Sequence, residues 1–324
     1  MNGQRHSRFN GRRQSRVLET INLPIILEHV AEAATTFYGR GKLPEYIPEL
    51  AEIEPNQFGM AITTVAGEQY TIGDVDVAFS IQSISKLLAL ILAMNLEGES
   101  LWSHVGREPS GTRFNSLVQL EYEQGIPRNP FINAGALVTL DRVLAHVRDY
   151  PSVVLDFARF LSMSDSVAID SAIVECERQT GHTNYALAYL LRSFRRIEAP
   201  VTELLAAYFH QCALSMTCRD LSRAFVALAN GGLSPILEEA VVTARHAKRI
   251  NSLMLTSGMY DSVGNFAYRV GLPAKSGVGG GIVAIVPGHM CIAVWSPELD
   301  LSGNSVVGVR ALETFSEITG LSIF

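Results

Sequence analysis

With 324 residues, 48% of them hydrophobic and 18% charged, the chain can bury a substantial core, which excludes an intrinsically disordered protein. A net charge of -6 argues against a general nucleic-acid binder, which would carry a basic face. The longest unbroken apolar run, 87–94, falls far short of the ~20 residues of a membrane-spanning helix, so no membrane span is expected.

Residues 1–20 carry five arginines, Arg5, Arg8, Arg12, Arg13 and Arg16. Arg12-Arg13 raises the idea of a twin-arginine signal, but Glu19, Glu28 and His29 break up the hydrophobic stretch that such a signal needs. A disordered basic tail is expected there, with nucleic-acid contact or targeting as the alternatives. Ile25, Ile26, Val30, Ala33 and Ala34 recur at helical spacing and predict a helix over 21–38, ended by Gly39-Arg40-Gly41. A proline-punctuated connection, 42–55, leads to two predicted strands, 58–65 and 69–73, joined at Ala66-Gly67 as a hairpin. The next helix opens on the polar knot Gln82-Ser83-Ile84-Ser85-Lys86 and is then apolar almost all round to Met94, the mark of a buried helix. A loop region follows Gly98, and another helix opens at Asn133. From Ala134 to about Glu239 the pattern is helical, with turns near Pro151, Gly181, Pro200 and Gly231-Gly232. A further helix covers 246–256. Strands return over 273–278, 282–286 and 290–295, and a helix over 305–319 closes the chain.

Strands at both ends with helices between them predict an α+β fold, an antiparallel sheet made by the two chain ends and flanked by helices, with a helical subdomain inserted. The expected division of a single domain over 21–324 is a sheet-containing part, about 21–80 and 245–324, and a helical part, about 81–244. Cys176, Cys212, Cys218 and Cys291 show no close CxxC pairing, and a reducing, cytoplasmic compartment is the simplest expectation.

The chemistry-bearing motifs begin with Ser83 and Lys86, three residues apart and so on one face of a helical turn. Burial disfavours the charged form of a lysine. A neutral Lys86 would be a base beside a latent nucleophile, Ser83. Ser-x-x-Lys alone is a weak signal, expected about once by chance in a chain of this length. Its weight rises because the chain has only four lysines, Lys42, Lys86, Lys248 and Lys275, and meets its other needs for positive charge with arginine. Lysine, unlike arginine, can lose its proton when buried. Lys275 begins the second motif, Lys275-Ser276-Gly277, at the start of a strand, where glycine lets a backbone or ligand approach closely. The bland alternative is a surface lysine beside a hairpin. Gly279-Gly280-Gly281 lacks the lysine and following helix of a phosphate cradle and reads as a strand turn. His210, His246 and His289 are scattered without ligand spacing, so no metal is expected.

Ser-x-x-Lys combined with Lys-Thr-Gly, or its serine variant, is the signature of serine β-lactamases and penicillin-binding proteins. Longer strings narrow the likeness. Gln82-Ser83-Ile84-Ser85-Lys86, the stretch from Glu121 through Gly125-Ile126-Pro127-Arg128-Asn129-Pro130-Phe131-Ile132-Asn133-Ala134-Gly135-Ala136, Tyr208-Phe209, Thr256-Ser257-Gly258-Met259-Tyr260 and Gly271-Leu272-Pro273-Ala274-Lys275-Ser276-Gly277-Val278-Gly279-Gly280-Gly281 resemble the β-lactamase-like bacterial glutaminases. The likeness runs from about Ile21 to the C-terminus.

The resemblance implies hydrolysis of the γ-amide of L-glutamine to L-glutamate and ammonia, with no cofactor, by a protein that forms dimers or tetramers. It implies substrate contacts at Ser83, Asn133, Glu177, Asn184, Tyr208, Tyr260 and the backbone of Val278, and the catalytic set expected is Ser83, Lys86, Tyr208 and Lys275. Glu177 would meet the substrate ammonium, with Glu175 a near rival; Asn184 and Tyr260 would meet its carboxylate. Each position has a plainer alternative: Glu177 as a solvated helix residue, Asn133 as a helix cap, Tyr208 as a core aromatic. The competing functions are a β-lactamase or peptidase of the same fold and a non-catalytic amino-acid sensor.

Overall fold

The computed structural model describes residues 21–44 and 48–324; the tail expected over 1–20 lies outside the described residues. The main strands are β1 (Gly59–Thr64), β2 (Gln69–Gly73), β3 (Ala274–Ser276), β4 (Gly281–Val286) and β5 (Met290–Trp295). The longer helices are α1 (Leu23–Thr35), α2 (Lys86–Glu97), α3 (Asn133–Leu144), α4 (Tyr150–Ser162), α5 (Ser171–Thr180), α6 (His182–Ser193), α7 (Val201–Cys212), α8 (Cys218–Ala229), α9 (Ala244–Ser257) and α10 (Val306–Thr319).

The strands form one antiparallel sheet in the order β2-β1-β5-β4-β3, so the first hairpin pairs directly with the last strand. Ala61 lies opposite Ala293, and Ile292 opposite Ala284. This is the expected sheet built from both chain ends. Alternate residues along each strand enter two different cores. Met60, Ile62, Ile282, Ala284, Ile292 and Val294 pack with α1 and α10. Ala61, Val283, Ile285, Cys291, Ala293 and Trp295 face the other way, into the core shared with the helical part. A sheet covered on both faces needs no polar face. That is why Ile282-Val283-Ala284-Ile285-Val286 is continuously apolar rather than alternating.

On the second face α8 packs across β1 and β5. It starts in a capping box between Thr217 and Asp220. A buried hydrogen bond between Thr63 and Ser222, 2.8 Å, pins it to β1, and the Gln69 amide donates to Ser222 at 3.1 Å.

The sequence pattern predicts only helices and turns from 134 to 239, and here the structure differs. Ala168–Ile169 and Leu214–Met216 are strands, and the latter also pairs with Phe79–Ser80. Strands of two or three residues carry no period to detect. Their role is local: they deliver the chain to residue 82.

Candidate active site

Ser83 does not sit in an α-helix. Gln82–Ser85 form a 3-10 turn, and α2 begins at Lys86. The turn is entered through Gln82 in the left-handed region, φ 47°. A glutamine adopts that conformation only where its surroundings hold it. Here the Gln82 carbonyl accepts from Ser85 Oγ at 2.7 Å, and its side-chain Nε2 donates to Ser80 Oγ at 3.2 Å. Ser80 Oγ in turn donates to the Cys212 carbonyl at 2.9 Å, and the Ile81 N–H to the Leu214 carbonyl at 2.8 Å. The short strand pair therefore anchors the turn to the end of α7.

Lys86 is 1% exposed. Its Nζ donates to the Phe131 carbonyl at 3.1 Å and to Asn133 Oδ1 at 2.6 Å. Burial drags its pKa down to about 8. A neutral amine has two protons and one lone pair. Two acceptors take the protons, and the lone pair remains for a third direction. The string Asn129 to Gly135 builds those acceptors. Asn129 Oδ1 accepts from the N–H groups of Phe131 and Ile132 at 3.0 and 3.1 Å, which fixes the chain ahead of α3. Gly135 is required because a Cβ there would lie 1.8 Å from the Asn129 carbonyl oxygen. Asn133 is the first residue of α3, after the N-cap Ile132, and its side chain does not cap the helix. Its Nδ2 donates to Asn184 Oδ1 at 2.9 Å, and its Oδ1 also accepts from the Tyr208 hydroxyl at 3.4 Å.

The opposite wall comes from the C-terminal strands. Lys275, wholly buried on β3, donates to the Ser276 carbonyl and lies 4.6 Å from the Tyr260 ring centre. Burial, and then the neighbouring Lys86, push its pKa well below the ordinary lysine range. Glycines bring this wall against the Ser83 turn. A Cβ on Gly277 would stand 2.4 Å from the Ile81 carbonyl oxygen, and one on Gly279 2.0 Å from that of Ser80. Val278 lies between them. The Gly279 carbonyl is held by Trp295 Nε1 at 2.9 Å, and Trp295 stacks on Phe79, next to Ser80, at 5.1 Å. Tyr260 is the second left-handed residue of the site, φ 50°, and packs in one cluster with Val278, Ile173 and Cys176. A cleft of about 320 Å³ reaches Tyr260 and Phe131, with Arg113, Phe114 and Asp261 among its lining residues.

Of the two glutamates on α5, Glu175 faces out. It is exposed and binds Arg178 and Gln179, which hold its carboxyl down at about 2. Glu177 is half-buried, and desolvation raises its carboxyl, against the opposing effects of a hydrogen bond to Gln82 and the charge of Lys86. Tyr208, on α7, is buried, and desolvation lifts its hydroxyl well above the ordinary tyrosine range. Contacts join Lys86, Asn133, Asn184 and Tyr208 in one hydrogen-bonded group, and Lys275 and Val278 lie against Tyr260. Sequence reasoning misses three contributors. Gln82 acts through its side chain, and Cys212 and Phe131 act through their carbonyls, which leave no side-chain signature. Among the described residues no three His, Cys, Asp or Glu side chains gather as metal ligands.

The sequence matches the family profile described as Glutaminase over residues 41–324. It is 54% identical over 301 residues to a glutaminase of Agrobacterium fabrum, covering 92% of this chain and 97% of that one. It is 52% identical over 306 residues to a glutaminase of Caulobacter vibrioides, covering 94% of this chain and 100% of that one. In structure it resembles the probable glutaminase from Bacillus subtilis complexed with 6-diazo-5-oxo-L-norleucine, with a TM-score of 0.84 at 33% identity over 94% of this chain and 98% of that one. The α+β, serine β-lactamase-like architecture expected from the motifs is the one found. The chain belongs to the glutaminase family.

Proposed function

We propose that this enzyme hydrolyses the γ-amide of L-glutamine to L-glutamate and ammonia through an acyl-enzyme on Ser83. Family membership carries the reaction. The observation that supports the mechanism is the environment of Lys86: a fully buried amine near pKa 8, its protons taken by Phe131 and Asn133, three residues from a serine. About a tenth of such amines are neutral at pH 7, and half at pH 8.

In this reading neutral Lys86 takes the Ser83 proton, and the serine oxygen attacks the amide carbon. The backbone N–H groups of Ser83 and Val278 hold the oxyanion, each worth about 3 kcal/mol. Tyr208 passes a proton to the departing ammonia, and water then cleaves the glutamyl ester with Tyr208 or Lys86 as base. Burial, and then the charge of Lys86, favour the neutral form of Lys275. At the other end of the substrate, Glu177 meets the ammonium; a bound cation offsets the burial that raises this carboxyl. Asn184, with its oxygen engaged by Asn133, has its amide nitrogen to offer the substrate carboxylate, together with Tyr260.

Mass spectrometry of a quenched reaction tests the central step. A glutamyl adduct on Ser83 is expected, together with loss of turnover in Ser83→Ala; an adduct on another residue refutes it. We also read the protein as cytoplasmic and as a dimer or tetramer. Four buried free thiols among the described residues support a reducing compartment.

A further inference from the structure

The loop at 300–304, just ahead of α10, packs against both Tyr260 and Val278. A Cβ on its Gly303 would stand 3.5 Å from Val278 Cγ1 and 3.7 Å from Tyr260 Cε2. Asp300 shapes the loop: its Oδ1 accepts from the N–H groups of Ser302 and Asn304 at 2.8 and 3.0 Å. Two of the loop's side chains then reach the segment on either side of Tyr260. Asn304, 1% exposed, donates through Nδ2 to the Met259 carbonyl at 3.3 Å. Ser302 Oγ accepts from Ser262 Oγ at 2.7 Å.

The Met259 carbonyl belongs to the peptide plane that leads into Tyr260, whose φ is 50°. A left-handed tyrosine costs about as much as one hydrogen bond contributes, so one bond to that plane can decide whether the conformation is kept. The carbonyl does not need Asn304 to be satisfied, because it also accepts from the Ser262 N–H at 3.1 Å. Asn304 is itself costly to bury, since its Oδ1 has no hydrogen-bond partner among the described residues. A leucine of nearly the same shape would avoid that cost and would lose only the bond to Met259.

We infer that Asn304 is a positioning residue for substrate binding: its amide holds the Met259–Tyr260 peptide so that the tyrosine stands ready for the carboxylate of the substrate. The inference rests on the reading of Tyr260 as a carboxylate ligand. Without the bond, free enzyme populates other conformations at Tyr260, and the apparent affinity falls by the fraction that stays competent. Bound substrate restores the competent form, so the chemical step is spared.

Steady-state ammonia release from glutamine tests this. Asn304→Leu is expected to raise KM by about 3- to 10-fold, the value of one hydrogen bond, with kcat near wild type. Tyr260→Phe removes the hydroxyl that meets the carboxylate and is expected to raise KM by itself. In that background Asn304→Leu should add little, because the group it places is gone. Asn304→Ala decides the same question if the leucine variant does not fold. Wild-type KM in the folded Asn304 variant overturns the inference. So does a loss confined to kcat, or a KM effect of equal size in both backgrounds, as a merely structural role would give. Wild-type KM in Tyr260→Phe refutes the reading of Tyr260 and the inference with it. A raised KM in Tyr260→Phe beside a wild-type KM in Asn304→Leu refutes only the role of Asn304.

Discussion

Replacing Gly279 by alanine tests the idea that backbone donors from two distant segments form the oxyanion hole. The new Cβ would stand 2.0 Å from the Ser80 carbonyl oxygen. Contacts of that kind are not made below 3.0 Å, so the two segments must part by about 1 Å. Neither is free to yield. Ser80 is tied to Cys212 and paired with Ser215, and the Gly279 carbonyl is tied to Trp295. The displacement therefore falls on the Val278 N–H beside the Ser83 turn. Misplacing a reacting group by 1 Å costs roughly 100-fold, which agrees with the about 3 kcal/mol assigned to one oxyanion donor. The expected result in a steady-state ammonia-release assay is a kcat lower by about 100-fold with little change in KM, because the ligands for the ends of the substrate lie on other elements. Gly288 provides the control. Its φ is +80°, and a Cβ there would meet nothing within 4 Å, so alanine strains the backbone without touching the site. Gly288→Ala is expected to cost about 1–2 kcal/mol of stability and to leave kcat unchanged. Wild-type kcat in Gly279→Ala, or an equal loss in both variants, would refute the reasoning.

Two more outcomes follow from the same geometry. Glu177→Gln should raise KM by about 10- to 100-fold, the value of a charge-assisted hydrogen bond, while Glu175→Gln leaves kinetics unchanged because that carboxylate is engaged outside with Arg178; a KM defect in Glu175→Gln alone would reverse the assignment. The pH profile reports on Lys86. Its folded pKa, about 8, lies below the ordinary lysine value, and the active form is the neutral one, so kcat/KM should climb with pH and level off above about 8. Lys86→Arg, which stays protonated, should be nearly as inactive as Lys86→Ala. A flat profile or an active Lys86→Arg enzyme would show that the residue acts only as a charge.

Local strings made much of the site readable. Ser83, Lys86, Lys275 and Asn133 each belong to a motif whose residues are close in the chain, and the rarity of lysine singled out two of the four. The sheet was readable because strands at both ends of the chain have few other ways to pair. What lay beyond reach was set by contacts across long separations. The left-handed Gln82 depends on Ser80 and on the Cys212 carbonyl, 132 residues from Ser80 along the chain. The acceptor at Phe131 is a backbone atom.

The choice between Glu175 and Glu177 stands between these cases, and it turns on helix phase. Residues two apart on a helix point to nearly opposite sides, so only one of the pair can face inward with the apolar stripe. Ile173 and Cys176 are the buried residues of α5. Residue 177 follows Ile173 by four and shares its face, while 175 follows it by two and does not. The same phase puts Glu175 beside Arg178, three residues on, where the two side chains pair in solvent. A carboxylate on the apolar face of an otherwise solvent-bathed helix is costly to bury unless a cation meets it. Its position next to Ile173 and Cys176 therefore points to Glu177 as the acid reserved for a ligand.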